Sequence, residues 1–373
     1  MTSWNYADYQ QWIYNGCKVN DVVIILNINR CNLIELSKHI DNLINLQELD
    51  CQRNEFTELP ETIGNLINLK KLYCSINELT KLPRTMDKLI NLKILTCSDN
   101  NLIELPETLG NLINLQKLDC YTNELTKLPE TLGDLINLQE LDCQCNEFTE
   151  LPETIGNLIN LKKLYCTSNQ LIKLPKTIGN LINLQDLSCQ FNEFTELPET
   201  ISNLINLQKL YCTGNKLTKL PKMLNNLINL QKLECSNNKL TELPNKIHNL
   251  INLQKLNCYN NKIIKLPVSI IKLKHLEEIY YDENIFVPII LQRYIERIKN
   301  NDVHNNSIQT SLLDSINNLL SETITKDINL IDDNILDNKS KSILYNFIED
   351  KTIGELLINF EELLVYVLEK IVN

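Results

Sequence analysis

Residues 138–160 read Leu138-Gln-Glu-Leu141-Asp-Cys143-Gln-Cys-Asn146-Glu-Phe148-Thr-Glu-Leu151-Pro152-Glu-Thr-Ile155-Gly-Asn-Leu158-Ile-Asn160. The same pattern returns every 23 residues without an insertion. Leu46, Leu69, Leu92, Leu115, Leu138, Leu161, Leu184, Leu207, Leu230, Leu253 and Leu276 share its first slot, and Val23 takes that slot one step earlier. Leu141 and Cys143 alternate with Asp142 and Gln144, the period of a short half-buried strand. From Leu151-Pro152 to Leu158 the apolar residues recur at three and four, as in a helical or 3₁₀ turn. Pro152 has no N–H and therefore suits the start of a turn rather than the middle of a ladder. A unit of this size cannot bury its own apolar face, whereas stacked units share one continuous core. Residues 44–83 and 136–175 differ at only five of forty positions, which marks duplication of whole units.

The motif LxxLxLxxN/CxL followed by LPxxIxxLxN resembles the leucine-rich repeat family, and within it the short intracellular type of Ras-suppressor-like scaffold proteins. The resemblance covers residues 23–286, as eleven full units and a degenerate twelfth. It implies an α/β leucine-rich repeat solenoid, a horseshoe with a parallel sheet on the concave side and irregular turns on the convex side. The heavy use of Asn and Ile is similar in style to repeat proteins of amoebae and their giant DNA viruses. Residues 1–22 are expected to form an N-terminal cap and residues 287–373 a helical C-terminal cap or tail.

Two columns of chemically active residues repeat with the unit. Cys51, Cys74, Cys97, Cys120, Cys143, Cys166, Cys189, Cys212, Cys235 and Cys258 share one slot. In an in-register parallel sheet they stack at about 4.8 Å and point inward. A zinc site needs four thiolates converging tetrahedrally, and a line does not supply that. Cysteine is expected here as a small buried hydrophobe. Asn54, Asn77, Asn100, Asn123, Asn146, Asn169, Asn192, Asn215, Asn238, Asn261 and Asn284 form the second column, with Cys31 in the equivalent slot of the first unit. They fall where the strand ends and backbone groups need partners. A buried amide has donors and an acceptor enough to bridge its own loop and the next unit. The family resemblance implies that structural role.

The ends are different in kind. Residues 1–22 contain Trp4, Trp12, Tyr6, Tyr9, Ile13 and Tyr14, with Asp8 as the expected cap of a short helix that Gly16 ends. Beyond Pro288 the pattern is helical, with candidate helices over Ile289–Ile298, Ser311–Leu320 and Ser340–Ile348. A last amphipathic run extends from Ile353 to Ile371.

Composition excludes several function classes. A formal net charge of −11 argues against nucleic acid or an anionic membrane as partner. Met1 to Gln10 show no secretory signal, so the 13 cysteines are expected as reduced thiols in an intracellular, cytoplasmic protein (a host cytoplasm if the source is viral). There is no GxxxxGK[ST] loop and no cysteine after Cys258 for a C-terminal ubiquitin-transfer domain. The histidines His39, His248, His275 and His304 lack metal-ligand spacing, the first three being expected as solvated convex-side residues. The expectation is a non-enzymatic, monomeric protein-interaction scaffold with no catalytic residue, metal or cofactor and a protein as its partner. The alternative is a structural or decoy-like repeat without a dedicated ligand.

The partner is expected on the concave face. Tyr73, Tyr165 and Tyr211 share one solvent-facing column, and Tyr121 and Tyr259 lie in the next. Tyrosine gives large amphipathic contacts at low rotamer cost. A neighbouring column ends in Lys209, Lys232 and Lys255, three like charges on adjacent strands that suit an acidic partner. The expected footprint centres on Tyr165 and Tyr211 and extends toward Lys232.

Overall fold

A computed structural model describes residues 2–299. Thirteen strands form one parallel sheet in strict chain order. Strand β1 is Thr2–Trp4 and β2 is Val23–Asn27; β3 (Glu48–Asp50) to β13 (Glu278–Tyr280) follow as three-residue strands, one per unit. The strands are shorter than the alternation suggests, but the ladder runs on past them. After β7 (Glu140–Asp142), the N–H of Cys143 donates to Tyr165 O and that of Cys145 to Thr167 O, both at 2.9 Å.

Behind the sheet each unit returns through a short 3₁₀ turn, such as Glu153–Asn157, entered from Pro152 at φ −65°. Pro152 is pre-set for that entry and lacks the donor that would be left unpaired there. The space between strands and turns is filled by Leu, Ile, Phe and Cys, with every ladder cysteine fully buried.

The asparagine column is the stitching between units. Asn146 donates its Nδ2 to Cys120 O at 3.0 Å, Cys143 O at 3.3 Å and Gln144 O at 3.0 Å, and its Oδ1 accepts from the Leu125 N–H at 3.1 Å. One side chain thus satisfies backbone groups of its own unit and the preceding one. The same set recurs from Asn54 to Asn261, with Asn77, Asn169 and Asn261 half-buried and the others buried. Asn284 departs from the expectation: it is exposed. Among the described residues no further strand follows β13 for it to bridge, and Asp282 takes over by accepting from the N–H groups of Asn260 at 2.8 Å and Asn261 at 3.2 Å.

Directly before each ladder asparagine from Asn54 to Asn261 the backbone is left-handed, with φ between 50° and 57° from Arg53 to Phe191. Ile76 and Thr122 are β-branched residues held in that region, a strained placement that the ladder on either side enforces. Gly214 occupies the slot at φ 69°, and a Cβ there would meet the Phe191 ring at 2.5 Å.

The N-terminal segment packs against the first unit and differs from the expectation at two points. Helix α1 (Tyr6–Tyr14) is capped by Asn5, and Asp8 is the reciprocal member of that capping box. Tyr9 and Trp12 are buried against the core, whereas Ile13 and Tyr14 face solvent, Tyr14 at 87% exposure. The Tyr9 hydroxyl accepts from the Ser37 N–H at 2.9 Å, which pins the cap to the repeats, and Trp12 Nε1 donates to Lys18 O at 2.7 Å within the cap. At the other end, helix α2 (Ile289–Lys299) lays Leu291, Ile295 and Ile298 on the last unit, and Tyr294 donates to Leu273 O at 2.5 Å. The candidate helices Ser311–Leu320, Ser340–Ile348 and 353–371 lie outside the described residues. Among those described, no helix is long and apolar enough to cross a membrane.

Candidate functional site

The sheet register places the sequence-predicted residues without ambiguity. Asp50, Tyr73, Thr96, Asp119, Asp142, Tyr165, Ser188, Tyr211, Glu234, Asn257 and Tyr280 form one column. Tyr165 and Tyr211 flank Ser188, two strands or about 9.6 Å apart. Tyr73 lies four strands away from Tyr165, and Tyr121 and Tyr259 sit in the next column at 37% and 53% exposure. The five tyrosines are therefore not one patch: only Tyr165 and Tyr211 meet.

Between them is a hollow of about 580 Å³ that includes Asp142, Asp186, Ser188 and Glu234 in its lining. The small Ser188 makes the floor where its neighbours carry rings. Asp186 is only 8% exposed; its Oδ2 accepts from Lys209 Nζ at 3.1 Å, and its shielded Oδ1 has no hydrogen-bond partner. A buried carboxylate oxygen without a donor is costly and marks a place where a donor would be welcome. Burial first, and the Asp186 carboxylate second, push the Tyr165 phenol up to about 12 and the Tyr211 phenol in the same direction. Sequence reading missed Asp186, because its burial depends on two tyrosines in a different column. The coincidence of large, small and large residues at 165, 188 and 211 was the available signal.

The lysine column needs a correction in its physics. Lys209, Lys232 and Lys255 do sit on adjacent strands in register. Their charges are largely compensated, however: Lys209 pairs with Asp186, and Lys255 with Glu234 and Glu278 at 3.2 Å each. Farther along, Glu140 bridges Lys117 and Lys163. Lys232 makes no ion pair within 4.0 Å among the described residues. A like-charge pair lies instead in the tyrosine column, where Asp119 stands opposite Asp142 with Lys117 partly offsetting it. Burial, then that mutual repulsion among its causes, raises the Asp119 carboxyl above its ordinary value.

The cysteine column offers no nucleophile. Each thiol is enclosed; Cys143 Sγ donates to Tyr165 O at 3.3 Å, and burial drives its pKa far up. Of the histidines, His248 is half-buried rather than solvated, and burial followed by Lys272 lowers its pKa. Among the described residues no three His, Cys, Asp or Glu side chains are grouped to hold a metal ion.

A second hollow, near 880 Å³, lies between β13 and α2 with Tyr259, Tyr280 and Glu278 in its wall. Tyr280 extends the tyrosine column to the last strand, a residue that the sequence reading left out.

A comparison with curated proteins finds no match. Among solved structures, a leucine-rich repeat protein of Leptospira interrogans is 33% identical at a TM-score of 0.63, over 74% of this chain and 82% of that one. The functional domain of InlJ from Listeria monocytogenes, whose description notes a cysteine ladder, is 25% identical at a TM-score of 0.52, over 70% of this chain and 63% of that one. The plant peptide hormone receptor RGFR1, solved in complex with RGF2, is 30% identical at a TM-score of 0.62, over 69% of this chain and 43% of the receptor. The family profile described as a leucine-rich repeat region matches residues 18–147, 74–173, 121–191 and 153–239, and that for two copies of leucine-rich repeats matches 228–269. With the repeat, the sheet and these matches in agreement, the chain belongs to the leucine-rich repeat family.

Proposed function

We propose that this protein is a non-enzymatic interaction scaffold that holds a protein partner on its concave face, centred on the hollow between Tyr165 and Tyr211. The observation that carries the reading is Asp186, a nearly buried carboxylate with one oxygen lacking a donor, framed by two half-buried tyrosines. Three carboxylates and no lysine belong to the lining, so a donor-bearing or cationic group of the partner fits the hollow. Lys232, beside it on β11 (Lys232–Glu234), is the cation left to meet an acidic group at the rim. Solved relatives include a receptor in complex with its peptide hormone, which supports the binding class without naming a partner for this chain. The reading includes a reducing, intracellular compartment, supported by 13 thiols free of disulfides.

The test is affinity capture from cells that express the protein, with Tyr165→Ala, Tyr211→Ala and Lys232→Glu beside the unaltered chain. Partners lost with the tyrosines and retained with Glu150→Lys, outside the sheet, support the reading. Partners lost only with Glu150→Lys contradict it.

A further inference from the structure

Outside the concave face, one exposed apolar position never varies. From Ile44 to Ile251, every unit carries isoleucine in the turn that leads into its strand, ten in all, each between 45% and 56% exposed. Apart from the adjacent asparagine, which a hydrogen bond to the preceding unit holds in place, most exposed positions have drifted between units, so duplication alone does not explain ten identical apolar residues facing solvent.

The local backbone explains how they are presented. In most units the leucine before the isoleucine adopts an inverse γ-turn, as Leu158 does at φ −76°, ψ 57°. The Ile159 N–H then donates to Asn157 O at 2.8 Å, and the side chain turns outward while Leu161 turns in. A second asparagine ladder serves the carbonyls: Asn160 Nδ2 donates to Ile136 O and Asn183 Nδ2 to Ile159 O, both at 2.9 Å. Eight of the ten isoleucine N–H groups and nine of the ten carbonyls are satisfied internally, so covering the stripe strands few donors or acceptors.

The flanks are poor in charge. Of the twenty positions two before and three after the isoleucines, fifteen are Asn or Gln; in the last four units, from Asn180 to Gln254, both are uncharged throughout. Depletion of charge around an apolar centre is the compositional mark of an interface core.

We propose that this stripe is the contact between two copies of this chain, laid edge to edge and antiparallel about a two-fold axis between Ile136 and Ile159. Pitch selects the occupant. The stripe repeats with the sheet at about 4.8 Å, whereas an α-helix repeats at about 5.4 Å and loses register within about four rungs. A second copy has the same pitch along its whole length. Ten half-exposed isoleucines offer on the order of 900 Å² of apolar surface, against about 800 Å² per partner in a standard stable interface. The antiparallel order sets each charged flank residue against an uncharged one: Lys70 meets Gln231, Lys88 meets Asn203, Lys93 meets Gln208, Asp134 meets Asn157, and Lys162 meets Gln139. The contact is isologous and closed, and it leaves both concave faces open.

Sedimentation velocity of the full chain across a wide concentration range tests this. The expected species is twice the 43.3 kDa chain. Ile136→Lys with Ile159→Lys, at the axis, should abolish the dimer while the far-UV spectrum stays unchanged. Ile103→Lys with Ile172→Lys, equally exposed residues off the stripe, should leave it intact. A monomer at every concentration, or a dimer that survives the stripe substitutions, overturns the proposal. Either result can be separated from the concave-face reading, because partner capture by Tyr165→Ala does not depend on the stripe.

Discussion

Asp142 and Asn146 are four residues apart in one unit, and their columns follow opposite rules. The Asn146 column repeats one residue in eleven consecutive units, whereas the Asp142 column runs through Asp, Tyr, Thr, Ser, Glu and Asn. The difference is one of neighbours. Asn146 bonds to backbone of two units at once, so a change there damages both. Asp142 looks into solvent across the sheet and bonds only locally, to Gln144. Repetition is thus the signature of shared backbone, and variation that of a face free to be shaped by a partner. The exposed isoleucines are informative because they break this rule: they repeat although they face water.

The comparison is broken most forcefully from the inside. Asn146→Ala removes four hydrogen bonds and leaves buried backbone groups unpaired, at about 1–3 kcal/mol for each unsatisfied group. Thermal melting should show a markedly lower Tm with the far-UV spectrum preserved at room temperature. An unchanged Tm would mean that water serves those groups and that the column is not the stitching.

The cysteine column should behave in the same inside-locked way. Under native, non-reducing conditions alkylation should reach Cys31 and Cys145, the two thiols that are not buried, and spare the ten ladder residues. After unfolding, all 13 should react. Rapid native labelling of the ladder, or several residues withheld as disulfides after unfolding, contradicts the packing described above.

How much of this could be read in advance follows from the same contrast. Every column held by two units, from Leu46 to Cys258, was legible as a repeat, because periodicity is the direct imprint of stacking. The tyrosine columns and the in-register lysines were legible too, since register in a gapless repeat is arithmetic. What was not legible depends on contacts between different columns: the lysine–carboxylate pairs that neutralise Lys209 and Lys255, the enclosure of Asp186, and the end effect at Asn284. The N-terminal strand β1 was missed because three residues carry no period at all.

A smaller effect sharpens the outer half of the comparison. Asp119→Asn removes one of two facing carboxylates while keeping an oxygen for the Tyr121 N–H. Relief of a like-charge cross-strand pair should stabilise by about 0.2–1 kcal/mol. The sign with pH follows from the raised carboxyl. The folded chain binds that proton more tightly than the unfolded one, so its contribution is favourable in acid and is lost as pH rises through the folded pKa. The gain from Asp119→Asn should therefore be largest at neutral pH and shrink toward pH values where the carboxyl is protonated. Chemical denaturation at both pH values checks it; a gain independent of pH would point to packing instead.

The smallest expected change in stability accompanies the largest change in function. The paired variant Tyr165→Ala, Tyr211→Ala alters only half-buried side chains on the solvent side of β8 (Lys163–Tyr165) and β10 (Lys209–Tyr211). Quantitative capture of the cellular partner by this variant, normalised to folded protein from its melting curve, tests the central claim most directly. The account predicts a Tm close to that of the unaltered chain and loss of the captured partner. Undiminished capture at equal fold would contradict it, and would move the functional surface away from the hollow around Asp186.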